Sequence, residues 1–271
     1  MSRGRPEGLS KSQIDKLGKR LSGSEAASEE DLRALEQVRL AHEPVLQEVV
    51  AELRSLGLAV SARLKTTGTI IDKLKQRTAL SRMQDIAGCR IVASLTLEEQ
   101  DNLVSRILRR FPGSKVVDRR RDPSHGYRAV HIVVTRDGHH VEIQVRTELQ
   151  NRWAQLFERL ADSWGRQIRY GGLPDDPDEF VLEALPRREV VRMVLELSEV
   201  IRDIEVRRDR VETLMASLAA SDAPPPGTPE FDQHEAERDE IEALGQELFQ
   251  EEAELREIIN SLLRVPDIPV E

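Results

Sequence analysis

Apolar and polar residues alternate through "YRAVHIVVTRDGHHVEIQVRT", Tyr127 to Thr147, on both sides of an Asp-Gly pair. An Asp-Gly dipeptide between alternating segments predicts a two-residue hairpin loop in which both central residues take positive φ. Arg136 then faces His139, and counting outward pairs Val134 with Val141, Ile132 with Ile143 and Val130 with Val145. That face is wholly aliphatic and requires a core beneath it. The opposite face pairs Thr135 with His140, Val133 with Glu142, His131 with Gln144 and Ala129 with Arg146. A solvated outer surface of an antiparallel sheet would account for such polarity, and so would a binding surface. The flanking segments favour the second.

Elsewhere the period switches between helix and strand. Ser10 to Leu21 predicts a short helix, and Ser28-x-x-Asp31 opens a second that runs to about Leu56, kinked at Pro44. "AVSARLK" reads as extended, "TIIDKLKQR" as helical and "DIAGCRIVAS" as a strand. Thr96-x-x-Glu99 caps a helix that ends before "FPG", "SKVVDRR" is strand-like, and a basic loop leads into the hairpin. Leu149, Trp153, Leu156, Phe157 and Leu160 then fall at helical spacing. The middle of the chain is therefore an α+β unit, a mixed sheet flanked by helices.

From Arg187 the spacing becomes four-three: Val190, Val194, Leu197, Ile201, Ile204, Val211, Met215 and Leu218 mark a narrow seam. "APPPGTPEF" interrupts it, and Ile241, Leu244, Leu248, Leu255 and Leu262 resume it. Two such helices on a short linker predict an antiparallel helical hairpin. The pattern leaves open whether the seam packs on the central domain or on another subunit. The expected organisation is residues 1–58 as N-terminal helices, 59–170 as the central domain and 171–271 as the hairpin.

With 39% hydrophobic and 33% charged residues among 271, the chain is expected to be a soluble globular protein with long exposed helices. No apolar run approaches a membrane span of about 20 residues, and "MSRGRPEG" lacks the apolar core of a signal peptide, so a cytoplasmic protein without a membrane partner is expected. The single cysteine, Cys89, excludes an internal disulfide framework and reads as a small buried hydrophobe. The net charge of −9 conceals an asymmetry: Ser61 to Val130 holds 15 Lys or Arg against 7 Asp or Glu. A basic segment inside an acidic protein points to a local anionic ligand rather than general nucleic-acid affinity.

The sequence has no GxxxxGK[ST] loop, no GxGxxG after a strand, no His and Cys at metal-ligand spacing and no GxSxG elbow. Three constellations do stand out. Asp85 and Glu142 are carboxylates on separate strands amid cations, a donor type that suits Mg²⁺ together with substrate phosphates. In "ARLKTTGTIIDK", Arg63 and Lys65 share one face of an extended segment, Thr69 stands at a helix start and Lys73 lies one turn on, which is a phosphate site in kind. In "DRRRDPSHGYRAVH", Tyr127 sits at a loop-to-strand junction beside Gly126, where it can stack a base or pack half-buried, and Arg119 to Arg121 supply charge.

Together, "ARLKTTGTIIDKL", "RMQDIAGCRIV", "SHGYRAVHIVV" and "VEIQVRTELQNRWAQLFE" resemble, in order, the synthetase domain of the RelA/SpoT alarmone synthetase family over about Arg63 to Glu158. The resemblance implies a nucleotidyltransferase-like sheet and transfer of the β,γ-pyrophosphate of ATP to the ribose 3′-hydroxyl of GDP or GTP, with release of AMP. It implies that Arg63 and Arg90 sandwich the adenine while Lys65, Thr69 and Lys73 hold the phosphates of ATP. It further implies that Asp85 and Glu142 bind Mg²⁺, that Glu142 helps deprotonate the hydroxyl, and that Tyr127 stacks on guanine. His131, Gln144 and Arg146 line the acceptor side, with Arg119 and Arg121 alongside.

Thr69 stands where the family usually has Ser. The family's PKxNGY loop is replaced by "DPSHGY", with Pro123 at the Lys position and His125 at the Asn position. No His-Asp pair occurs, so the family's hydrolase domain is not expected, and the length suits a small, synthesis-only member. Two alternatives stay open: toxin-like pyrophosphate transfer to the tRNA 3′ end or to adenosine nucleotides, and an inactive regulator that binds partners through its helical hairpin. Small family members often assemble through carboxy-terminal helices, so a homo-oligomer is the expected assembly.

Overall fold

The computed structural model describes residues 9–23, 27–76, 78–181 and 185–264. The chain divides into two compact units, Met1–Val92 with Val104–Val117 and Val130–Val145, and Ala93–Leu103 with Asp118–Ala129 and Arg146–Glu271.

In the first unit, helix α1 (Lys11–Leu21) starts at a reciprocal cap between Ser10 and Gln13, as the polar spacing predicts. The long helix expected between Ser28 and Leu56 is instead two helices, α2 (Glu29–Leu40) and α3 (Glu43–Ser55), separated at Ala41 and His42. Pro44 lies in the first turn of α3, where its missing N–H costs nothing and its ring bars continuation from α2. Proline here ends one helix and starts the next rather than kinking a continuous one. Leu17, Leu21, Leu35, Ile70, Leu74, Leu80, Met83 and Ile86 close into a core beneath these helices.

The sheet has five strands in the order β1-β2-β5-β4-β3: β1 (Ser61–Leu64), β2 (Ala87–Ala93), β3 (Lys115–Asp118), β4 (Val130–Arg136) and β5 (His139–Thr147). Helix α4 (Thr67–Lys75) follows β1, and α5 (Leu97–Arg110) links β2 to β3. Thr96 and Glu99 bond reciprocally at the start of α5, with Thr96 N to Glu99 Oε2 at 2.9 Å and Glu99 N to Thr96 Oγ1 at 3.1 Å. The β4–β5 register is the one counted outward from the turn, Val134 opposite Val141 through Val130 opposite Val145. Asp137 and Gly138 carry φ of 53° and 81°, the pair of left-handed residues that this tight turn requires. Val130, Ile132, Val134, Val141, Ile143 and Val145 are all buried.

The second unit is mainly helical. α6 (Glu148–Trp164) is capped reciprocally by Thr147 and Gln150, and α7 (Arg187–Ala220) and α8 (Pro229–Leu263) form the predicted hairpin. Its antiparallel sense is read from the pairs Arg207 with Glu251 and Ser221 with His234. A two-stranded ribbon, β6 (Phe180–Val181) and β7 (Leu185–Pro186), precedes α7. Trp153, Phe157, Leu160 and Trp164 of α6 pack with Val190, Val194, Ile201 and Ile204 of α7 and with Leu255, Ile259 and Leu262 of α8. The first half of the α7 seam is therefore buried within the chain. No helix among the described residues is long and apolar enough to cross a membrane.

Candidate active site

Antiparallel pairing of β1 with β2 sets Arg63 opposite Gly88 and Ser61 opposite Arg90. Opposed residues point to one side, so Arg63 and Arg90 are diagonal neighbours on the same face. The ladder continues through Lys65 N donating to Ile86 O at 2.8 Å, which fixes Lys65 against the segment holding Asp85. Thr66 caps α4 by accepting from Thr69 N. The Thr69 hydroxyl lies 2.9 Å from Thr66 Oγ1 and donates to Thr66 O at 2.9 Å, so it is part of the cap itself. Lys73 follows one turn later.

Lys65 Nζ and Lys73 Nζ each donate to the same oxygen, Asp85 Oδ2, at 2.7 Å. The other oxygen, Oδ1, is buried without a hydrogen-bond partner. Burial pushes the Asp85 pKa up, and the two ammonium groups more than offset it, leaving it below the ordinary carboxylate value. An ionised carboxylate whose second oxygen is buried and unengaged has capacity for one further donor or cation.

Glu142 lies on β5 opposite Val133. His131 Nδ1 lies 2.9 Å from Oε1, and Gln144 Nε2 donates to Oε2 at 2.7 Å. The Glu142 and His131 side chains are only 14% and 16% exposed, so this polar face of the hairpin is not a solvated surface. Burial pushes the Glu142 pKa up, and His131 and Gln144 more than offset it, leaving it below the ordinary carboxylate value. The Asp85 charge acts in the raising direction on Glu142, so the two carboxylates sense each other. Burial, with help from Glu142, pushes the neighbouring Cys89 thiol up to about 12, which suits the inert packing role expected for it. Among the described residues no three His, Cys, Asp or Glu side chains gather as a cation cage. Two carboxylates, one with a free buried oxygen, fit a hard divalent ion that draws the rest of its shell from water and phosphate.

The remaining sequence-selected residues lie in the second unit. Arg146, buried at the end of β5, donates from Nη2 to the Tyr127 hydroxyl at 2.9 Å and places its guanidinium carbon 5.0 Å from the Tyr127 ring centroid. Tyr127 is half-buried against the α6–α7 core. The loop before it turns through two left-handed residues, His125 (φ 50°) and Gly126 (φ 79°). His is among the few non-glycine residues that enter this region readily, so it can fill a backbone role suited to Asn. A Cβ on Gly126 would come within 2.8 Å of the Trp153 indole, so only glycine lets the loop lie this close to α6.

The arginine run divides. Arg120 is 13% exposed and tied to Asp118, Asp101 and Gln100, whereas Arg121 is 83% exposed and the Arg119 side chain reaches Asp122 at 3.4 Å. Sequence reasoning assigned nothing to Arg128, Ser198 or Glu205, all buried polar residues. The spacing held a signal for two of them, since Ser198 and Glu205 fall four residues after the seam positions Val194 and Ile201.

Residues 62–161 match the family described as "Region found in RelA / SpoT proteins". Uncharacterized protein Rv1366 of Mycobacterium tuberculosis and uncharacterized protein Mb1401 of Mycobacterium bovis are each 43% identical over 122 residues, which is 44% of this chain and 45% of theirs. The chain thus spans under half the length of these relatives. Among solved structures, small alarmone synthetase 2 from Bacillus subtilis aligns with 66% of this chain and 98% of its own at 18% identity and a TM-score of 0.49. Small alarmone synthetase 1 from the same organism, bound to its product pppGpp, aligns with 69% and 98% at 19% identity and 0.48.

Proposed function

We propose, from the match of residues 62–161 to the region found in RelA and SpoT proteins, that this chain is a pyrophosphokinase that transfers the β,γ-pyrophosphate of ATP to the ribose 3′-hydroxyl of GDP or GTP, forming (p)ppGpp and AMP. The observation that carries this reading is the Lys65–Asp85–Lys73 cluster: two cations and a carboxylate with a free buried oxygen, within the matched region.

Arg63 and Arg90, on one sheet face, hold the adenine between them. Lys65 and Lys73 exchange Asp85 for phosphate oxygens, and Thr69 offers its hydroxyl at the amino terminus of α4, where anions are favoured. Asp85 and Glu142 would hold Mg²⁺, which would neutralise phosphate charge. Glu142, ionised because its pKa is depressed, accepts the proton of the 3′-hydroxyl, and His131 and Gln144 fix its orientation. The hydroxyl oxygen bonds to the β-phosphorus, the bond from that phosphorus to the α,β-bridging oxygen breaks, and AMP leaves with that oxygen. Positioning and charge neutralisation supply most of the rate. Tyr127, held by Arg146, stacks on the acceptor base, with Arg119 and Arg121 near its phosphates.

The test is incubation of the purified protein and MgCl₂ with γ-labelled ATP and, separately, GDP, GTP, ATP or tRNA. Labelled guanosine tetra- or pentaphosphate with equimolar AMP is expected. Label in tRNA or in an adenosine product would replace the acceptor, and no labelled product with any acceptor would overturn the enzymatic reading.

A further inference from the structure

The residues on either side of Tyr127 are both fastened to α7. Arg128 donates from Nε to Ser198 Oγ at 3.1 Å, from Nη1 to Arg120 O at 2.7 Å and from Nη2 to Glu199 Oε1 at 2.6 Å. Ser198 spends its one hydroxyl proton on Gly126 O. One serine thus accepts from the residue after Tyr127 and donates to the residue before it. The same stretch of α7 receives the Trp153 indole N–H at Val194 O, 2.6 Å away, and Trp153 underlies Gly126. On the far side of the loop, a Cβ at Gly171 would meet the His125 ring at 2.8 Å.

We propose that Arg128, with Ser198 and Glu199, is a positioning set that fixes the Tyr127 loop before the acceptor arrives, so that α7 governs acceptor affinity. This rests on the acceptor-binding reading of Tyr127 given above. A planar guanidinium with three fixed bonds suits the task, because it locks the Arg120 carbonyl and two adjacent side chains of α7 into one geometry, and Ser198 passes the constraint on to the Gly126 carbonyl. Ordering the loop in advance removes a cost that acceptor binding would otherwise bear. Glu199 supplies the countercharge that lets Arg128 stay buried.

The experiment compares wild type with Ser198→Ala, Glu199→Gln and Arg128→Lys in pyrophosphate transfer to GDP and in amide hydrogen exchange of the free protein. Loss of a hydrogen bond to a charged group is expected to raise the KM for GDP about tenfold, with the KM for ATP and kcat at saturating GDP changed by less than about twofold. Exchange should quicken across residues 119–128 and stay unchanged in β4 and β5. Arg128→Lys should resemble the other two, since one ammonium cannot make the three bonds, and combining it with Ser198→Ala should add little. Unchanged loop exchange, or ATP and GDP KM values that rise together, would overturn the proposal. If wild type transfers pyrophosphate to no acceptor, the functional reading fails, and loop exchange alone then judges the clamp: faster exchange supports it and unchanged exchange overturns it.

Discussion

Replacing Asp85 by Asn separates what the carboxylate does for the fold from the role proposed for it in catalysis. Lys65 Nζ and Lys73 Nζ share one oxygen at 2.7 Å each. The two ammonium groups therefore lie within about 5 Å of each other, where uncompensated repulsion amounts to about 3 kcal/mol at an effective dielectric constant near 20. Lys73 is partly exposed, so water and side-chain movement should reduce this to about 1–2 kcal/mol. Asp85→Asn is thus expected to destabilise the protein by that amount, and adding Lys73→Met should restore part of the loss. Denaturant unfolding of wild type, both single variants and the double variant measures the coupling directly. Pyrophosphate transfer should fall at least about 10²-fold in both variants that carry Asn, because stability returns while the carboxylate charge proposed to hold Mg²⁺ does not. An additive cycle, or an Asn variant as stable as wild type, would refute the electrostatic reading of the cluster, and near-normal turnover would refute the metal assignment.

Glu205 is buried, and desolvation raises its pKa above the ordinary 4.5 despite bonds from Thr147 and Gln150 and the charges of Arg120 and Arg128. An acid with a raised folded-state pKa contributes stability below 4.5 that is lost as pH climbs through the folded value. Glu205→Gln should therefore raise the Tm at pH 8 by at least about 2 °C and leave it unchanged at pH 4, a difference that scanning calorimetry would detect. Ile259 is fully buried in the α6–α7–α8 core whereas Phe249 on the same helix is 71% exposed. Ile259→Ala should cost about 2–5 kcal/mol in denaturant unfolding, and Phe249→Ala should stay within about 0.5 kcal/mol.

The hairpin was legible residue by residue because an Asp-Gly turn fixes register and a two-residue period fixes faces. The break between α2 and α3 was harder to see, since apolar residues recur at helical spacing on both sides of His42 and only Pro44 marks the boundary. The Lys65–Asp85–Lys73 cluster was legible as three chemically suited residues but not as mutual partners. They sit on a strand end, a helix and a pre-strand segment, and no local period relates them. The clamp on Tyr127 was invisible for a similar reason: 70 residues separate Arg128 from Ser198, and no local period relates them. Helical spacing four residues after Val194 and Ile201 could have marked Ser198 and Glu205 as inward-facing, but nothing local says what they would meet.

The indole beneath Gly126 makes the loop optically readable. Trp153 is one of two tryptophans, buried, stacked on Phe157 and bonded to Val194 O, with the loop backbone forming part of its wall. The other, Trp164, lies under the Arg187 guanidinium and can be silenced as Phe without touching the loop. In such a single-tryptophan protein, lifting the loop away would admit water to the indole and shift its emission to the red. The chain thus carries its own fluorophore at the point where the Tyr127 loop meets α6, and stopped-flow fluorescence could time that loop's movements without an added label.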